Sequence, residues 1–266
     1  MSLLQFQGVS LAYEPARKAG SAVSTYVLDG IDLTIRQGEF VTVLGRSGAG
    51  KTSLLNLAAG FIMPTNGQVL FDGIPVKSPG AERAVVFQDD ALLPWLTVAG
   101  NVALPLRLRH ASRADRDSRT ETLLEQVGLA GFGKRYVWEL SGGQRQRVGI
   151  ARALAGAPPF LLMDEPLGAL DAMTRERMQD LLLRTWGASG AGTLLITHSI
   201  DEAVFLGTRI LVLAPGPGRI VRDVESPFSA RFLAGEPGRE LRSRPDFIAL
   251  REDLAAAIHA DEMEPA

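Results

Sequence analysis

The chain has no cysteine, which removes disulfides, thiolate metal centres and a cysteine nucleophile together. It carries little net charge, −2 over 266 residues. A nucleic-acid footprint spread over the whole domain is therefore not expected, although a local basic patch would escape that sum. It also lacks a bilayer-length apolar run. The most apolar stretch, 91–106, is interrupted by Pro94, Gly100, Asn101 and Pro105 and falls short of the ~20 residues that a spanning helix needs. The opening residues, Met1-Ser2-Leu3-Leu4-Gln5-Phe6-Gln7, lack the basic-then-apolar layout of a secretion signal. These absences lead to the expectation of a soluble cytosolic protein whose membrane role, if any, runs through a partner. Apolar residues make up 46% of the chain, enough for one large domain or a core with an inserted subdomain.

What is present centres on Gly45-Arg46-Ser47-Gly48-Ala49-Gly50-Lys51-Thr52, a match to the phosphate-binding loop pattern. Phe40 to Leu44 before it reads as a buried strand, and Ser53 to Ala58 after it as a helix. Glycines let the backbone curl so that successive N–H groups face a phosphate, and the helix N-terminus adds partial positive charge at the same point. In such a loop Lys51 reaches the β- and γ-phosphates and the Thr52 hydroxyl ligates Mg²⁺. An ordinary glycine-rich turn would need neither the lysine nor the hydroxyl. The loop predicts nucleoside triphosphate binding.

Residues 3–12 and 27–36 read as strands, separated by a loop over Glu14–Thr25 that is rich in Gly, Ala, Ser and Lys. Gly67–Gly73 predicts a strand ending in a turn, and Arg83–Gln88 a buried strand. From Asp89 to Pro158 the pattern becomes helical and more charged. Apolar runs at 160–164, 193–197 and 209–213 then alternate with a helix over 173–186. This predicts an α/β fold: a phosphate-loop NTPase core with a mostly parallel sheet, N-terminal antiparallel strands and an inserted helical subdomain. The expected division is a core of 1–88 and 159–220, a helical insertion at 89–158, and a C-terminal extension at 221–266 with a final helix over 245–259.

Four further places carry candidate chemistry. Asp164 and Glu165 follow a buried apolar run, at the strand end where open α/β sheets place ligands. Beside a phosphate loop, Asp164 would hold Mg²⁺ through its shell and Glu165 would accept a proton from attacking water. Ser141-Gly142-Gly143-Gln144 opens a helix over Arg145–Ala155, with Ser141 as N-cap and glycines exposing N–H groups to an anion; plain capping is the bland alternative. Gln88 and His198, one of three histidines, each follow a predicted strand, where either could be simply structural. Tyr13 could stack on a purine or merely pack.

Together the phosphate loop, Gln88, Leu140-Ser141-Gly142-Gly143-Gln144-Arg145-Gln146-Arg147, Asp164-Glu165-Pro166, Ala169-Leu170-Asp171 and Thr197-His198 resemble the nucleotide-binding subunits of ATP-binding cassette transporters. The resemblance covers nearly the whole chain. It implies ATP and Mg²⁺ as cofactors and a head-to-tail homodimer. In that dimer residues 45–53 of one copy, Ser53 included, would face Ser141–Gln144 of the other across the nucleotide. It further implies that Tyr13 stacks on adenine, Gln88 senses Mg²⁺ and the attacking water, His198 contacts the γ-phosphate and Asp171 lies at the dimer seam. The implied partners are transmembrane permease subunits, gripped near Gln88 and Leu92-Leu93-Pro94-Trp95, and a solute-binding protein. The implied location is the cytoplasmic face of the cell membrane. Gly80–Gln88, Leu92–Trp95 and Gly216–Arg219 resemble the nitrate, sulfonate and taurine importer branch. Lys134–Tyr136, Arg231–Glu236 and Pro245–Glu252 are most similar to its taurine members. Ser199 and Leu167 depart from the family, which usually has aspartate and phenylalanine there, and the 14–26 loop is longer than usual, so Tyr26 or Val27 could share the adenine contact. A soluble cassette acting on DNA or ribosomes would usually carry two cassettes or a long coiled coil. A dead regulator would not be expected to retain Lys51, Asp164, Glu165 and His198.

Overall fold

The computed structural model describes residues 1–13, 26–89, 91–168 and 170–260. The expected loop at 14–25 and Ala169 lie outside them. In chain order the elements are β1 (Leu3–Ala12), β2 (Tyr26–Arg36), β3 (Phe40–Gly45), α1 (Lys51–Ala59), β4 (Asn66–Phe71), β5 (Ile74–Pro75) and β6 (Arg83–Val86). Next come α2 (Val98–Val102), α3 (Leu104–Leu108), α4 (Arg113–Gln126), α5 (Gly142–Ala155), β7 (Phe160–Asp164) and α6 (Ala172–Ser189). The chain closes with β8 (Gly192–Ile196), α7 (Ile200–Leu206), β9 (Arg209–Ala214), β10 (Arg219–Glu225), α8 (Phe228–Leu233), α9 (Gly238–Arg242) and α10 (Pro245–Ala260). They fall into two compact units, residues 1–80 with 192–266, and residues 81–191.

In the first unit β2, β1, β4 and β5 form an antiparallel sheet. Leu4 lies opposite Ile35 and Phe6 opposite Leu33, so the alternating apolar residues of both strands share one buried face. The other sheet of this unit is built on β3, which pairs in parallel with both β8 and β9. Covered on both faces, its Phe40–Leu44 run is wholly buried. Each such aliphatic or aromatic side chain contributes about 1.5–3 kcal/mol on burial. α7 is fastened to β3 by the buried Thr42, whose Oγ1 donates to Ala203 O at 3.3 Å. The helices after β10 cover α7 in turn: Phe232 meets Phe205 edge-on at 5.3 Å, and Arg242 lies 3.6 Å above the Phe205 ring.

The second unit has β6 and β7 as a parallel pair, Val86 opposite Met163, with helices α2 to α6. The expected strand over 83–88 stops at Val86, and Ala84 and Val85 are only half-buried. Asn101, the residue that interrupts the apolar stretch, is fully buried. Its side chain accepts from Leu93 N at 2.8 Å and donates to Leu93 O and Thr97 O, both at 3.1 Å. It therefore pins the 92–97 turn onto α2. That turn divides its apolar residues: Leu92 is buried while Trp95 is 70% exposed. Among the described residues no helix is long and apolar enough to cross a membrane.

Candidate functional site

In the first unit the buried β3 delivers the chain into the phosphate loop, and α1 leaves it. Gly45 and Gly50 have φ of 154° and 86°, values that L side chains rarely adopt. A Cβ on Gly45 would lie 2.7 Å from Leu213 O, and one on Gly50 would lie 2.6 Å from Leu28 Cδ2. Arg46, Ser47, Gly48 and Thr52 are exposed, whereas Ala49, Gly50, Lys51 and Ser53 are buried. The Lys51 ammonium donates to Gly45 O at 2.7 Å and Arg46 O at 3.0 Å, so its charge is already folded over the loop. Tyr13, 52% exposed, has its hydroxyl 3.1 Å from Ser53 Oγ. This bond ties the end of β1 to the first turn of α1, a contact that the sequence did not announce. Tyr26 instead accepts from Asn66 Nδ2 at 3.0 Å.

His198 belongs to the same unit and leaves β8 two residues past Ile196, the partner of Val43 in β3. The phosphate loop begins two residues past Val43 as well, so both emerge at one end of the parallel strands. The residues around His198 are tightly held. Thr197 and Glu202 are 2% and 3% exposed and joined by a hydrogen bond from the Thr197 hydroxyl to the Glu202 carboxylate. Ser199 caps α7, and its Oγ accepts from Glu202 N at 3.3 Å. Glu202 was not among the expected site residues. The spacing Ser199-Ile200-Asp201-Glu202, a serine followed three residues later by glutamate at a helix start, is the signal that could have drawn attention to it.

In the second unit Gln88, Asp164 and Glu165 leave the β6–β7 pair together, one or two residues beyond the paired Val86 and Met163. Gln88 is exposed, and the two carboxylate residues are half-buried. Glu165 has φ of 43°, the left-handed region, costly for a non-glycine residue and concentrated at functional sites. Ser141 and Gln144 form a reciprocal cap on α5: Ser141 N donates to Gln144 Oε1 at 2.9 Å and Gln144 N to Ser141 Oγ at 3.4 Å. The helix thus begins at Gly142 rather than at Arg145, because the capping pair draws both glycines into its first turn. A Cβ on Gly142 would meet nothing nearer than Arg145 Nη2 at 3.9 Å. Asp171 caps α6, accepting from Thr174 N at 3.0 Å, and this backbone bond holds its carboxyl below the usual aspartate range. Ser141, Gly142, Gly143, Arg147 and Asp171 are among the residues that line a cavity of about 670 Å³. Burial pulls the Arg147 guanidinium below its ordinary value.

Each unit therefore presents polar and charged groups where its parallel strands end, and the second adds a capped, glycine-opened helix. The chain belongs to the ABC transporter family, whose pattern it matches over residues 28–168, and is an ATP-hydrolysing transporter ATPase. It is 57% identical over 260 residues to the taurine import ATP-binding protein TauB of Sinorhizobium fredii, covering 98% of this chain and 97% of that protein. It is 50% identical to that of Pseudomonas entomophila over the full length of both. Among solved structures, the ATP-binding cassette MJ0796, as a dimer in a post-hydrolysis state bound to ADP and Pi, superposes with a TM-score of 0.71 at 33% identity. That match covers 84% of this chain and 98% of the cassette. The cbiO1 protein of Clostridium perfringens, part of the cbiONQ transporter complex, shares the fold at 24% identity, with a TM-score of 0.74 over 95% of this chain and 98% of that one.

Proposed function

We propose that this chain is the ATPase subunit of an importer of taurine, working as a homodimer on the cytoplasmic face of the membrane with transmembrane permease subunits and a solute-binding protein. The observation that carries the reading is identity of 50–57% to taurine import ATP-binding proteins over nearly the whole length. The segments resembling the taurine branch have a structural part to play. Arg231 forms a two-pronged bond to Glu236, with Nε to Oε1 at 2.7 Å and Nη2 to Oε2 at 2.8 Å, and also reaches Asp246 at 3.1 Å. That network ties α8 to the turn after it and to the start of α10.

The residue roles follow from the chemistry of each group. Residues 45–53 would cradle the phosphates of ATP, with the Lys51 ammonium moving from carbonyl partners to phosphate oxygens and Tyr13 beside the adenine. Thr52, Gln88 and Asp164 offer hard oxygen donors, few in number. That suits Mg²⁺, which keeps several waters and binds largely through substrate phosphates; when bound it would neutralise phosphate charge. Glu165 would take the proton of the attacking water, and His198 would contact the γ-phosphate. Ser141–Gln144 would close on the nucleotide of the other copy, with Asp171 at the seam. The open space at Gly142 supports this last role, because nothing in the chain's own packing requires a glycine there.

The test is ATP turnover by the complete transporter in liposomes. Taurine should stimulate it, and an alkanesulfonate or nitrate should not. Stimulation by one of those anions alone would move the cargo and keep the mechanism. In the same assay Glu165→Gln should keep ATP binding and lower turnover by ~10²–10⁴-fold, the usual worth of a general base. Normal turnover would remove Glu165 from that role.

A further inference from the structure

We infer that Glu202 is a positioning residue for His198, acting through the Thr197 hydroxyl. The inference rests on the reading of His198 as the γ-phosphate contact. An ordinary capping box would send the Glu202 carboxylate back to the N–H of the N-cap, Ser199. Here the bonding is rerouted. Ser199 N donates to Thr197 Oγ1 at 3.0 Å, and the Thr197 hydroxyl donates on to Glu202 Oε2. The Ser199 hydroxyl then accepts from Glu202 N at 3.3 Å, closing a ring of bonds between residues 197, 199 and 202. His198 lies in the chain between Thr197 and Ser199, which that ring holds, and it is exposed while Thr197 and Glu202 are buried.

Both ends of the ring are anchored. Thr197 N donates to Val43 O at 3.2 Å, two residues before the phosphate loop begins. α7 is held by Thr42 on Ala203 O, by Ser226 Oγ on Val204 O at 2.7 Å, and by Arg251 beside Asp201 at 3.6 Å. A buried carboxylate is expensive, and the Thr197 hydroxyl meets it at Oε2. The Ser199 cap takes only the Glu202 backbone N–H, so capping does not account for the Glu202 carboxylate being inside. Fixing the backbone on both sides of His198 does. The imidazole is then set relative to the phosphate loop by a rigid path through β3, and a displacement of about 1 Å at a reacting group can cost ~10²-fold in rate.

The experiment measures kcat and KM for ATP in the reconstituted transporter for Thr197→Val, Thr197→Ser, Glu202→Ala, Glu202→Gln and His198→Ala. Thr197→Val and Glu202→Ala should lower kcat by ~10–100-fold with KM within about threefold of the native value, the pattern of a lost transition-state interaction. Thr197→Ser keeps the hydroxyl and Glu202→Gln keeps an acceptor oxygen, so both should restore kcat to within about threefold. Adding Thr197→Val to His198→Ala should lower kcat no further. A lower thermal midpoint for Thr197→Val with kcat unchanged would mean a structural role only and overturns the inference. So does full turnover by Thr197→Val and Glu202→Ala when His198→Ala has lost it. Normal turnover by His198→Ala overturns both the inference and the reading of His198 beneath it, which tells the two failures apart.

Discussion

The phosphate loop and the turn at Ser141–Gln144 both open a helix with glycines, yet they hold those glycines for opposite reasons. At Gly45 and Gly50 the chain itself forbids a side chain, through positive φ and through contacts at 2.7 Å and 2.6 Å. The Lys51 ammonium is already tucked onto Gly45 O and Arg46 O. At Gly142 and Gly143 the backbone is ordinary helix, and added carbons would meet neighbours only at 3.9 Å and 3.5 Å. Glycine held in helical backbone loses more conformational entropy on folding than alanine does. The first loop has its shape set within the chain. The other bears a cost that the chain's own packing does not explain, as expected of a surface shaped for something that arrives from outside.

Substitution by alanine separates the two cases. Gly142→Ala should leave folding intact, with a thermal midpoint equal to or above the native one. It should lower ATP turnover by ~10²-fold, because a methyl group displaces what must approach the helix start. Unchanged turnover would mean that nothing docks there and would break the comparison. Gly50→Ala should do the reverse. Its φ of 86° and the contact to Leu28 predict a loss of about 1–3 kcal/mol in stability from backbone strain, visible in denaturant unfolding with no nucleotide or partner present. A Gly50→Ala chain as stable as the native one would show that the loop is less self-determined than its geometry implies.

Much of this was legible beforehand because period and spacing carry it. The continuous apolar run Phe40–Leu44 announced a strand covered on both faces, and Gly45–Thr52 announced the loop that follows. The parallel strands and the antiparallel N-terminal sheet were expected and are present. The C-terminal stretch was less readable. β10 has only exposed and half-exposed positions, so it has no buried face to mark it, and it is held by pairing to β9. The short α8 and α9 are too brief for a helical period to show. At the site, residue types were readable but bonding was not. Asp171 looked like a seam residue and also serves as the N-cap of α6. Glu202 was not singled out at all, and only its burial and the Thr197 hydroxyl reveal its connection to His198.

The smallest expected effect sharpens the open side of the comparison. Asp171 borders the same cavity as Ser141 and Gly142, and its carboxyl is held below the usual range chiefly by the Thr174 backbone N–H. A carboxyl lowered in the folded state stabilises that state fully above its unfolded-state pKa, and the contribution is lost as pH falls through the folded-state value. Asp171→Asn keeps an oxygen for the Thr174 N–H but gives up the charge that favours a helix N-terminus. Near neutral pH the native chain should therefore unfold at a slightly higher temperature than the variant, and the gap should close in the acid range below the ordinary aspartate pKa. Other carboxyls held low by arginine, among them Asp29, Glu236 and Asp246, titrate alike in both chains and cancel in the difference. Two parallel unfolding profiles across that range would show that the Asp171 charge adds nothing to its cap. The residue's acidity would then have to be explained by what meets the cavity rather than by the helix that it begins.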